Sequence, residues 1–135
     1  MRVISVDLGL ARTGIATGDD ILKLASPVTV INEYNEEKLV DKICICASEQ
    51  GAKKIVVGLP KNMDGSEGER ALKCREIAQK IEEKSGIQTI LVDERCTTVS
   101  AHNYLSANDV RGKKRKETVD AVAATIILED YFRSL

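Results

Sequence analysis

The chain reads as an α/β protein, a mixed sheet with helices packed on it, and three features of the sequence point there. Two β-rich runs joined by a short turn fill residues Arg2 to Gly18, and a third, Val28 to Ile31, follows Pro27. Three successive strands with short connections make an antiparallel meander. Beyond them, helical and extended periodicity alternate as strand, helix and strand, so two further strands run parallel with right-handed crossovers. The 135 residues show no repeat, low-complexity tract or linker, and read as one domain, 1–135, large enough for a buried core.

In the first strand, alternation puts Val3, Ser5 and Asp7 on one face and Ile4, Val6 and Leu8 on the other. Gly9 removes a side chain where a phosphate or a second backbone can approach. Asn35 is placed to cap a helix over about Glu36 to Gln50, whose Leu39, Val40, Ile43 and Ala47 form one apolar stripe, and Gly51 ends it. Lys54 to Leu59 is nearly all apolar, as in a strand covered on both faces. Ser66 and Glu69 have capping-box spacing, which starts the next helix near Glu67; Ala71, Cys74, Ala78 and Ile81 line it, and Gly86 stops it. Gln88 to Asp93 is another buried strand, delivering Asp93, Glu94 and Arg95 at its end. Thr97 or Thr98 caps a short helix to about Leu105, Ser106 to Lys116 is a loop by composition, and the last helix runs from about Glu117 to Arg133.

Composition narrows the function. A formal net charge of −1 excludes a uniformly basic coat for nucleic acid but allows a local patch. No apolar run approaches the roughly 20 residues that span a bilayer. The N-terminus enters a strand directly, without signal-peptide architecture, so a cytoplasmic protein with no membrane partner is expected. The four cysteines form no C-x-x-C pair and His102 is the single histidine, a poor set for structural zinc; reduced thiols acting as small core residues fit better.

Three acids stand where acids are expensive. Asp7 ends a hydrophobic strand, Asp93 and Glu94 end a second, and Asp120 falls in the first turn of a helix otherwise suited to the core. The crevice at the carboxyl ends of parallel strands is the default binding site of open α/β sheets, and there these acids meet if their strands are neighbours. Clustered like charges need a cation, and carboxylates without histidine or thiol suit Mg²⁺ or Mn²⁺. Two such ions roughly 4 Å apart suit phosphodiester hydrolysis. Each acid also has a plainer explanation. Asp120 in a first turn complements the helix dipole, and Asp93 or Glu94 can pair with Arg95 or a lysine. Periodicity does not choose between Asp93 and Glu94. The cations Arg111, Lys113, Lys114, Arg115 and Lys116 fit a phosphate-binding lid that orders on substrate, or a solvated loop. The glycine-rich GLPKNMDGSEG ends at a helix N-terminus but lacks the P-loop order.

Four segments, VDLG with R-x-G after it, VVGLPKNMDGSEG, VDERCTTVSA and VDAVAATIIL-x-x-Y, resemble in order and spacing the YqgF family. That family, also called RuvX, comprises Holliday-junction-resolvase-like proteins and pre-16S ribosomal RNA nucleases. The resemblance covers essentially the whole chain and implies a ribonuclease H-like fold. It implies that Asp7, Glu94 and Asp120 are the catalytic, metal-binding acids, choosing Glu94 over Asp93, and that Arg12 contacts phosphate. Leu10-Ala11 stand where members often carry Thr-Lys, so one cation and one hydroxyl beside the acid are absent. The function implied is a metal-dependent endonuclease for precursor 16S ribosomal RNA, with a ribosomal pre-particle as partner. The alternatives are a resolvase of branched DNA, which calls for a homodimer, and a non-catalytic nucleic-acid-binding module in ribosome assembly. D-x-G-x-x-x-x-G also resembles the phosphate loop of actin-like kinases, which need two such domains.

Overall fold

The computed structural model describes residues 1–9, 11–61, 64–93 and 112–135, with 112–120 described by their backbone alone. In chain order the elements are β1 (Arg2–Leu8), β2 (Arg12–Asp19), β3 (Leu24–Asn32), α1 (Glu36–Glu49), β4 (Lys54–Leu59), α2 (Glu69–Ser85), β5 (Gln88–Asp93) and α3 (Gly112–Arg133). They build one five-stranded sheet in the order β3-β2-β1-β4-β5. The meander β1-β2-β3 is antiparallel, and β4 and β5 join parallel to β1, as the sequence predicts.

The two faces of the sheet carry separate cores. Ile4, Val6, Leu8, Ile15, Ile55, Val57 and Leu59 pack under α1 and α2, against Leu39, Val40, Ile43, Ala71, Cys74, Ala78 and Ile81. Val3, Ala16 and Val56 face α3 through Ala124, Ile127, Leu128, Tyr131 and Phe132. Alternation in β1 therefore assigns Asp7, with Val3 and Ser5, to the α3 face. Glu36, at the start of α1, holds both Lys73 and Lys80 of α2 and ties the two helices together.

Local signals set most boundaries. The Asn35 side chain accepts from the Lys38 amide, and Gly51 and Gly86 take φ of +66° and +71° behind α1 and α2. Cys44, Cys46 and Cys74 carry reduced thiols, and burial pushes those of Cys44 and Cys46 up. Among the described residues no helix is long and apolar enough to cross a membrane.

Three boundaries differ from expectation. β3 is longer than Val28–Ile31 because Leu24–Pro27 also pair with β2, past an irregularity at Ile15/Ala16. As an edge strand with Ser26, Pro27 and Thr29 exposed, it lacks the apolar pattern that betrays a buried strand. α2 begins at Glu69 with Gly68 as its N-cap, and no side chain caps it. Ser66 is engaged elsewhere, its amide and hydroxyl both donating to Asp64 Oδ1 at 2.9 and 2.6 Å, so the capping box does not form. α3 begins at Gly112, so residues 112–116 of the expected basic loop are helical, because Lys, Arg and Glu are good helix formers. The expected short helix before Leu105 lies outside the described residues.

Candidate functional site

Asp7 is the partly buried penultimate residue of β1. Three contacts set α3 against this strand. Ser5, fully buried, donates its hydroxyl to the Ala124 carbonyl at 2.5 Å. Gly18, the partner of Val3, lies under Leu128 and Phe132, where an added Cβ would come within 3.1 and 2.9 Å of their side chains. Lys54, paired with Val3 on the other side, reaches the Tyr131 hydroxyl at 3.1 Å. Moving from Val3 to Ser5 along β1 thus moves from Leu128 back to Ala124 along α3, so strand and helix run antiparallel. Two more strand residues, about 6.7 Å, reach Asp7, and one helical turn, about 6 Å, leads back from Ala124 to position 120.

The flanks of Asp7 are glycines. Gly14 is its partner on β2, and extending the Val6↔Val57 register by one residue places Gly58 beside it on β4. Neither neighbouring strand puts a side chain next to the carboxylate. β1 and β5 are not themselves neighbours, because β4 stands between them. Their ends are therefore two strand spacings apart, about 9.6 Å, across the Gly58 backbone. In β5, Ile90 and Val92 pack toward α3, whereas Leu91 packs toward α1 and α2. Asp93 shares the parity of Leu91 and belongs to the face opposite Asp7.

Among the nine residues expected at the site, the structure describes the side chains of Asp7 and Arg12. Arg12 opens β2 two residues beyond Gly14, on the same face as Asp7 and nearer the strand ends. Glu94 and Arg111 lie outside the described residues. Asp120, Lys113, Lys114, Arg115 and Lys116 are in α3. Asp120 is the ninth residue of that helix and not in its first turn, which removes the dipole explanation for it. Among the described residues no three His, Cys, Asp or Glu side chains assemble as a metal cage. The one expected ligand whose side chain is described, Asp7, offers carboxylate oxygen, the donor that hard divalent cations take.

Residues 1–134 match the family model RuvX: Holliday junction resolvase. The chain belongs to that family. RuvX-family relatives include a protein of Bacillus cytotoxicus, 37% identical over 99% of both chains, and one of Leuconostoc citreum, 40% identical over 97% of this chain and 94% of its own. Both carry provisional names as pre-16S rRNA nucleases. Among solved structures, T. thermophilus RuvC in complex with a Holliday junction substrate superposes with a TM-score of 0.59 at 13% identity, over 99% of this chain and 94% of that one. At that identity the likeness is one of fold, and it agrees with the ribonuclease H-like sheet that the resemblance implies.

Two features of this RuvX-family site were missed by reading residues singly. The glycines flanking Asp7 are separated by 44 positions and become a pair only through strand order. Arg70, in the first turn of α2, donates from Nη2 to the Leu8 carbonyl at 3.0 Å, on the peptide that joins Leu8 to Gly9. No local pattern announces a contact across 62 residues.

Proposed function

We propose that this protein is a metal-dependent endonuclease that hydrolyses phosphodiester bonds in structured nucleic acid, processing the precursor of 16S ribosomal RNA in the cytoplasm. The observation that carries the reading is the register of α3 on β1. Ser5, two residues before Asp7, meets Ala124, one turn after position 120, which supports Asp120 as a second acid beside Asp7. Asp93 has the parity of the face opposite Asp7, which supports Glu94 as the acid of that pair. Those three carboxylates form an all-oxygen donor set that fits Mg²⁺ or Mn²⁺.

In this reading Asp7, Glu94 and Asp120 hold the ions, whose chemistry is to lower the pKa of water and to neutralise charge developing on the phosphate. Asp7 is central, on a strand end held by pairing on the β2 side and by α3 over Ser5. Arg12, farther out on the same face, contacts a backbone phosphate. Lys113, Lys114 and Arg115 fall in the first turn of α3, which carries no acid, and Lys116 follows them. Cations there oppose the dipole, and a polyanion relieves both penalties. With Arg111 they extend the phosphate grip along the backbone. Three Tyr, one Phe and no Trp leave little to stack on bases, so recognition rests on backbone and shape.

The test is cleavage of a precursor 16S RNA and of a four-way DNA junction, with Mg²⁺ or Mn²⁺, by wild type and Asp7→Asn. Cutting by wild type and a loss of at least about 10²-fold in Asp7→Asn supports the reading. Equal behaviour of the two proteins refutes it. Preference for the junction, with sedimentation of a dimer, moves the substrate to branched DNA, since resolution needs paired sites. Binding without cutting leaves a ribosome-assembly module.

A further inference from the structure

We propose that Arg70 is a positioning residue of the reaction centre, fixing the end of β1 that carries Asp7. The proposal rests on the nuclease reading above. The Arg2 carbonyl accepts from the Lys53 amide at 2.8 Å, which directs the carbonyls of Arg2, Ile4, Val6 and Leu8 toward the β4 side. The β1–β4 ladder runs from Val3↔Lys54 to Val6↔Val57 and stops there. The Leu8 carbonyl is therefore the first acceptor beyond the ladder, and it belongs to the peptide that joins Leu8 to Gly9. The Arg70 guanidinium supplies the donor that β4 no longer offers, at 3.0 Å. On the opposite side, Leu8 and Asp7 pair with Thr13 and Gly14 of β2. Asp7 thus sits one residue before a peptide gripped from both sides, by a ladder on one and a single side chain on the other.

Arg70 is exposed, and its Leu8 bond is its sole partner among the described residues. Its contribution is therefore local and is not core packing. A backbone end that moves by even an ångström displaces a metal-binding carboxylate, and misplacement on that scale is costly in catalysis. The charge of the guanidinium also makes this hydrogen bond stronger than a neutral one.

The experiment uses the full chain as wild type, Arg70→Ala and Arg70→Lys. In metal-free protein, amide exchange at Asp7 to Gly9 is followed by NMR. Arg70→Ala is expected to speed exchange there about 10-fold and to leave Val3 to Val6 unchanged. In the Mn²⁺ cleavage assay it lowers kcat about 10-fold with KM within about twofold, and Arg70→Lys, which keeps a donor, recovers most of both. Unchanged exchange at Asp7 to Gly9 overturns the proposal. So does a loss confined to KM, which makes Arg70 a substrate contact. A wild type that cuts nothing defeats the nuclease reading alone, and the exchange rates then decide whether Arg70 anchors this strand end.

Discussion

Gly9→Ala tests whether the turn between β1 and β2 is as tightly built as its geometry says. A Cβ at Gly9 would lie 2.2 Å from the Arg12 carbonyl oxygen and 3.4 Å from its carbon. Both neighbours are backbone, so no side chain can swing away, and the turn must open by roughly an ångström to reach ordinary contact. It cannot open freely, because Leu8↔Thr13 and Asp7↔Gly14 are paired immediately behind it. Forced overpacking of this kind costs about 1–3 kcal/mol. For 135 residues the unfolding entropy is about 0.28 kcal/mol/K, so Tm should fall by about 4–11 °C. Urea unfolding followed by circular dichroism measures the free energy directly. Gly18→Ala provides the comparison, since its Cβ would come within 2.3 Å of the Leu24 oxygen at the far end of the sheet. Both variants should lose similar stability, but only Gly9→Ala should lose cleavage by folded protein, about 10-fold or more, because its turn carries Asp7 on one arm and Arg12 on the other. A Gly9→Ala protein within about 0.3 kcal/mol of wild type refutes the packing argument.

Two further outcomes follow from the same contacts. Ser5→Ala removes the buried hydroxyl bonded to the Ala124 carbonyl, which keeps its partner within the helix; unfolding in urea should show a loss of about 1–2 kcal/mol, and an unchanged midpoint would mean that α3 is held by apolar packing alone. Hydrogen bonds from Lys73 and then Lys80 hold the Glu36 carboxyl below its ordinary 4.5, and Glu33 with Lys42 and Glu67 with Arg75 are lowered likewise. A depressed folded pKa stabilises fully above the unfolded value and is lost as pH falls through the folded one. Tm should therefore hold steady from neutral pH to about 5 and decline below about 4.5, less steeply in Glu36→Gln; parallel profiles for the two proteins would dismiss the α1–α2 clamp as the cause.

Where a boundary depends on one short-range signal, the sequence was legible. Asn35 three residues before Lys38, and glycines at 51 and 86 in the left-handed region, end or begin helices by bonds that involve nearby residues only. The start of α2 was not, because Ser66 satisfies two competing local patterns and the structure uses the one with Asp64. Composition also misjudged Gly112–Lys116: charge suggested a loop, whereas the intrinsic preference of Lys and Arg extends the helix. The candidate site was legible as residue types at strand ends. Its assembly was not, since strand order decides that β4 separates β1 from β5 and that Gly14 and Gly58 flank Asp7.

The earlier start of α3 changes the argument about Asp120 as well as its address. In a first turn, an aspartate is favoured by unpaired amides and the dipole, and no function is needed to explain it. As the ninth residue, with Ala121, Ala123 and Ala124 buried after it, it gains nothing from either. Aspartate is also a poor helix-interior residue, costing several tenths of a kcal/mol against alanine. A sequence that places it one turn before the Ser5 contact, level with a second acid between two glycines, accepts that cost at one point along the strand. The same reasoning bears on Asp93: strand parity turns it toward α1 and α2, away from the face of Asp7. The placement of α3 and β5 on the sheet thus removes one plainer explanation, the dipole for Asp120, and sets Asp93 apart from the face that carries Asp7.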